Sequence, residues 1–129
     1  MDLPPDPEWD AAGHGSYGTA GDYGRFMRAM LNDGELDGHR ILKPETVALA
    51  FRDHLEGAPL PEVMYSSDPM LSNDVPSMPV PEGWGLGLRL ALEDMPGMRS
   101  AGTGDWGGLL NCAYWIDSET GVAAVIMTQ

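Results

Sequence analysis

The chain has 129 residues, of which 43% are hydrophobic, and 20 acidic against 7 basic side chains give a formal net charge of −13. That length suits one domain or part of a larger one, with apolar content enough for a real core. The acidic balance argues against nucleic acid and anionic membrane surfaces as partners, because both are gripped by clustered Lys and Arg, and no apolar run is long enough to span a bilayer.

A single cysteine, Cys112, precludes an internal disulfide and suits a reducing compartment. With no early apolar stretch resembling a signal peptide, a cytoplasmic location is expected.

Residues 1–18 read as an extended lead-in, because "MDLPPDPEWD" is proline-rich and "AAGHGSYG" is small and glycine-rich. A helix follows. Thr19 is a good N-cap, and Asp22 three residues on completes a capping box. Tyr23, Phe26, Met27, Met30 and Leu31 then fall on one apolar face. Asn32-Asp33-Gly34 stops it, with Gly34 suited to a left-handed cap. Asp37-Gly38 marks a tight turn. A second helix starts near Pro44, a favoured first helical residue, places Val47, Phe51 and Leu55 on one face, and ends before Gly57.

Residues 57–83 hold many prolines and no sustained period, so they read as a long loop. A loop of this length either covers a site or is a surface insertion, and composition does not choose between the two. Residues 84–129 read as antiparallel strands. "GWGLGLRLALE" alternates as one strand. "LLNCAYWID" alternates again, with Leu110, Cys112, Tyr114 and Ile116 on one side and Leu109, Asn111, Ala113 and Trp115 on the other. "GVAAVIMTQ" is continuously apolar, as for a strand buried on both faces. Ser118-Glu119-Thr120-Gly121 is short enough to close these last two into a hairpin. The expected architecture is α+β: two helices, a long proline-rich loop and three antiparallel strands. An apolar strand running to Gln129 needs cover, so the chain is read as cut short.

The familiar chemical motifs are missing. The only lysine, Lys43, follows Arg40 by three residues, so there is no Ser-x-x-Lys. Ser16 has Gly18 after it but His14 before it, so there is no Gly-x-Ser-x-Gly elbow. His14, His39 and His54 have no ligand-pair spacing, and no metal or other cofactor is expected. "GTGDWGG" lacks the Gly-Lys-Ser/Thr of a phosphate loop. What remains is "WGG", Trp106-Gly107-Gly108, read as the approach to the "LLNCAYWID" strand. Without Cβ atoms there, a ligand can lie against the main chain, an N–H can face an oxyanion, and Trp106 can wall the site. Equally, the glycines can relieve crowding and Trp106 can be core.

The order "GSYGTAGDYGRFMRAMLNDGELDGHRILKPETV", "GWGLGL" and "SAGTGDWGGLLNCAYWIDSETGVAAVIMTQ" resembles the C-terminal part of the β-lactamase-like serine hydrolases, the superfamily of class C β-lactamases, penicillin-binding proteins and family VIII esterases. The resemblance covers about residues 12–129 and implies a partial β-lactamase/transpeptidase-like fold. It places Trp106, Gly107 and Gly108 at the third active-site motif as substrate-binding residues, with Leu109 as a backbone oxyanion donor. The second motif, Tyr-x-Asn or Tyr-x-Ser, has no match at its usual place. Tyr65-Ser66-Ser67 fits by letter but lies in the loop and is not assigned.

The resemblance also implies a small-molecule ester or lactam substrate in the parent enzyme, attacked by a serine belonging upstream of residue 1. The chain alone is expected to be inactive. The alternatives are a non-catalytic ligand-binding remnant and a functionless gene fragment.

Overall fold

A computed structural model describes residues 16–70, 72–108 and 111–128. In chain order the elements are α1 (Ala20–Leu31), β1 (Glu35–Leu36), β2 (His39–Arg40), α2 (Pro44–Ala50), β3 (Val63–Met64), β4 (Val75–Pro76), β5 (Glu82–Trp84), β6 (Arg89–Ala91), β7 (Gly104–Gly108), β8 (Cys112–Asp117) and β9 (Val122–Met127). The architecture is α+β. Strands β5 to β9 form one antiparallel sheet in sequence order, and β1–β2 and β3–β4 are separate two-stranded pairs.

The capping box at α1 forms as the sequence predicts. Thr19 Oγ1 accepts the Asp22 N–H, and the Asp22 carboxylate accepts from the Thr19 N–H and hydroxyl. Thr19's side-chain and backbone donations hold the Asp22 carboxyl below the ordinary carboxylate range. Of the predicted apolar face, Met27 and Met30 are buried with Ala29, while Tyr23 and Leu31 are half-buried against the core. Phe26 lies at the margin and stays 39% exposed.

Gly34 takes φ +84° and packs so tightly under the Leu42 carbonyl that a Cβ would collide with it. Asp37 and Gly38 both take positive φ and join β1 to β2, the geometry that matches strand twist in a two-residue turn.

Several expectations need correction. Helix α2 ends at Ala50, with Phe51 as C-cap, so the second helix does not reach Leu55. Asp53 takes over there: its Oδ1 accepts the N–H groups of Leu55 and Trp84, tying the chain to β5. The long loop contains the β3–β4 pair, and the strand region starts at Glu82.

"GWGLGLRLALE" is a hairpin rather than one strand. Gly85 donates to the Leu88 carbonyl and Gly87 takes φ +77°, so the glycines that mimic alternation make the turn. The "GDWGG" of "GTGDWGG" is itself strand β7, and among the described residues the sheet has five strands instead of three. The "WGG" residues therefore close β7 instead of opening the next strand. The chain reverses between Gly108 and Cys112, where Asn111 takes φ +56°.

Strand β9 is the sheet's edge, not a doubly buried strand. Val122 and Ile126 are each 51% exposed, while Ala123 and Val125 turn toward the core.

The core lies between the helices and one face of the sheet: Met27, Met30, Val47, Ala50, Leu88, Leu90 and Ile116. Leu90 and Ile116 are almost wholly buried, each contributing about 1.5–3 kcal/mol by leaving water. Gly104 makes the closure possible, because a Cβ there would stand within 3.0 Å of both Leu88 and Phe51.

Candidate active site

Strand β7 has two different halves. Gly104 and Asp105 are laddered on both sides, to Leu90 and Arg89 of β6 and to Ile116 and Trp115 of β8. The β6–β7 ladder then stops. Among the described residues, Trp106, Gly107 and Gly108 pair only with Tyr114, Ala113 and Cys112 of β8, and no residue of β6 is paired with them. Backbone groups along an extended strand face its two sides alternately, so this segment turns N–H and C=O groups toward an open edge. Gly107 and Gly108 are exposed, and a Cβ on Gly108 would meet nothing closer than Cys112 Cβ at 3.9 Å. Leu109 lies outside the described residues.

The position of this edge is fixed from below by charge. Asp105 is buried, and its Oδ1 accepts Arg89 Nε at 3.0 Å while its Oδ2 accepts Arg99 Nη1 at 2.6 Å. Arg89 also lies 3.7 Å from Glu82 and donates to the Pro76 carbonyl, and Glu82 accepts the Met78 N–H. The alternating series Glu82–Arg89–Asp105–Arg99 therefore ties the proline-rich loop to the strand that ends in Trp106. Arg99 caps it by lying 4.8 Å over the Trp115 ring, a cation–π contact.

Buried charges of this kind persist only when paired and hydrogen-bonded. The four charged residues were not singled out by sequence reasoning. Two signs were available: Arg89 interrupts an apolar run, and Asp105 directly precedes Trp106.

On the aromatic side, Trp106 meets Trp84 edge-on, with ring centroids 4.8 Å apart and planes at 73°. Its cross-strand neighbour Tyr114 packs on Tyr23 at 4.9 Å and donates its hydroxyl to the Gly87 carbonyl. Burial first, then the Tyr23 hydroxyl and the Asp105 charge, push the Tyr114 phenol well above its ordinary range. The Tyr114 hydroxyl therefore keeps its proton and donates it in the hydrogen bond to Gly87.

The other residues considered from sequence lie apart from this edge in their bonding. Ser66 Oγ is bonded to Ser72 Oγ at 2.7 Å and accepts the Asp68 N–H, so it organises the loop. Tyr65 beside it is 79% exposed. His54 binds the Leu49 carbonyl, His39 is on the surface in β2, and His14 lies outside the described residues. Among the described residues, no group of three or more His, Cys, Asp or Glu side chains could hold a metal ion, and no helix is long and apolar enough to cross a membrane.

Two surface cavities lie elsewhere. One of about 570 Å³ sits between the 94–101 turn and Asp117–Thr120, and one of about 380 Å³ lies between α1 and β9. Neither is lined by Trp106, Gly107 or Gly108. The strand end is an open ledge, which suits one wall of a site more than a complete one.

Comparison with known proteins bears on this geometry. The profile of the Beta-lactamase family matches residues 1–129. Lovastatin esterase of Penicillium rubens is 36% identical over 121 residues, covering 88% of this chain and 28% of that protein. Acyltransferase calJ of Penicillium decumbens is 34% identical over 127 residues, covering 95% of this chain and 29% of the relative. Protein Rv1367c of Mycobacterium tuberculosis is 30% identical over 130 residues, again 95% of this chain and 30% of the relative. The chain thus spans a little under a third of the length of these relatives. With a family match over its whole length, the chain belongs to the beta-lactamase family of serine-hydrolase-like proteins.

Proposed function

We propose that this chain forms one wall of a serine esterase site and contributes carbonyl-binding backbone to it rather than the nucleophile. The observation that carries the reading is the open ladder: among the described residues Trp106, Gly107 and Gly108 are held by β8 alone, beside the half-buried Trp84. An ester carbonyl lying along that edge meets backbone N–H groups with no side chain in the way, the arrangement that stabilises a tetrahedral oxyanion. Leu109, which follows Gly108, supplies one such N–H in the proposed arrangement, and Trp106 supplies an apolar wall. An ester is preferred to a lactam because the relatives with named activities are an esterase and an acyltransferase, both of which handle acyl groups.

The nucleophile and base come from outside these residues, since the only lysine is Lys43 and no Ser-x-x-Lys is present. An oxyanion site without them retains only a fraction of the catalysis of the full unit. The chain by itself is expected to give no turnover of p-nitrophenyl butyrate and no serine adduct with a fluorophosphonate probe. Turnover that disappears when a serine within the 129 residues is mutated would falsify this assignment of roles. In a chain extended by its upstream coding sequence, a labelled serine is expected. There Gly108→Val, which puts a branched side chain on the carbonyl edge, should lower kcat/KM roughly a hundred-fold. An unchanged kcat/KM removes the edge from the site.

A further inference from the structure

The Trp84–Trp106 pair is built in a way that core packing does not explain. Neither ring belongs to the cluster between helices and sheet, and both are half-buried. The backbone of Trp84 is nevertheless clamped on every side. Its N–H donates to Asp53 Oδ1 at 3.0 Å, and its carbonyl accepts the His54 N–H at 2.9 Å.

The flanking glycines are equally constrained. A Cβ on Gly83 would stand 2.8 Å from the Asp53 carboxylate, and one on Gly85 would stand 1.9 Å from the Ala50 carbonyl oxygen. Asp53 is committed to this task. The Trp84 N–H first, then the Leu55 N–H, hold its carboxyl below the ordinary carboxylate range. The end of α2 therefore fixes a tryptophan whose ring reaches Trp106, two strands away in the sheet.

An edge-to-face pair contributes about 0.5–1.5 kcal/mol, and both rings keep apolar surface exposed for a third apolar group. Trp106 directly precedes Gly107 and Gly108 on β7, so the half-buried pair stands next to the open edge along the strand. We propose that Trp84 and Trp106 form an aromatic ledge that takes the apolar group of an ester whose carbonyl lies along the Gly107–Gly108 edge, with Asp53 as its positioning residue. The assignment rests on the esterase-wall reading and adds a substrate class to it: esters bearing an aryl or bulky branched group.

Binding to the 129-residue chain, followed by heteronuclear NMR, separates the two ideas. The probe is naphthyl methyl ketone, a carbonyl compound that cannot be hydrolysed, and acetone is its small counterpart. The aryl ketone is expected to move the indole N–H signals of Trp84 and Trp106 together with the amides of Gly107 and Gly108. Trp115, stacked under Arg99, serves as the still reference. Trp84→Ala should weaken binding about ten-fold, while Trp84→Phe keeps a ring and most of the affinity. Asp53→Ala should weaken it similarly, with Asp53→Asn restoring it because an acceptor oxygen remains.

Glycine amides that respond equally to both ketones, with the indoles still, overturn the ledge and leave the esterase wall standing. Indoles that move while the glycine amides stay still overturn the wall and leave an aromatic binding surface. No response at the indoles overturns the ledge whatever the variants do.

Discussion

The two halves of β7 differ in almost every physical respect although they are consecutive residues of one strand. Gly104–Asp105 is buried, laddered on both sides and locked by two guanidinium groups, whereas among the described residues Trp106–Gly108 is laddered only to β8 and open on its other side. The first half spends its hydrogen bonds on staying put. The second half has backbone to offer only because the first does so. A rigid strand that runs out of partners presents main-chain groups with little conformational entropy left to lose, a form of preorganisation a free loop cannot supply.

The comparison is broken most severely at Asp105. Asp105→Ala leaves Arg89 and Arg99 facing each other without their shared carboxylate, and losing one partner of a buried pair costs about 3–5 kcal/mol. With the guanidiniums 15% and 23% exposed, the lower end of that range, about 3 kcal/mol, is expected in urea unfolding. Asp105→Asn keeps an acceptor but not the charge and should cost less. If both variants unfold at the wild-type midpoint, the ion series does not fix β7.

Glycine substitutions test the same contrast with less force. Gly104→Val drives a side chain into Leu88 and Phe51 and should cost about 2 kcal/mol as overpacking. Gly108→Ala adds a Cβ in ordinary contact with Cys112 and should stay within about 0.5 kcal/mol. Thermal unfolding of the two variants side by side checks the difference. Equal losses would mean that both glycines serve packing, returning "WGG" to the structural reading.

Much of this was legible in the sequence where local chemistry decides the outcome. The Thr19–Asp22 capping box, the Met27–Met30 face, Pro44 at the start of α2 and the Ser118–Gly121 turn each rest on residues within a few positions of one another. The β5–β6 hairpin was not, because in "GWGLGLRL" glycine turn residues and apolar strand residues alternate with the period of a single strand.

The site divides the same way. Trp106, Gly107 and Gly108 stand out by type and adjacency. Trp84 and Asp53 become part of the same feature only through contacts 22 and 31 residues apart in sequence, which no local period encodes. Strand β9 misled for a related reason: a continuous apolar run does not say whether a strand is central or at the edge, which is decided by its pairing with β8.

The smallest expected effect comes with acid, at two carboxylates that hold the segments flanking β7. Burial opposes the charge on Asp117, but the N–H groups of Ser100 and Thr120 more than offset it, and its carboxyl lies below the ordinary range. Asp53, under Trp84, is lowered by its own two N–H donors. A carboxyl whose folded pKa is depressed stabilises the fold above its unfolded value and loses that contribution as pH falls through the folded one. Both clamps should therefore hold from neutral pH down to about 4 and weaken below it. Amide exchange protection reads them separately: Ser100 and Thr120 report the Asp117 turn, Trp84 and Leu55 the Asp53 clamp. Asp53→Asn should flatten the acid response of Trp84 and Leu55 alone. Should all four amides lose protection together in that variant, the Asp117 turn and the Asp53 clamp would open as one cooperative unit rather than separately.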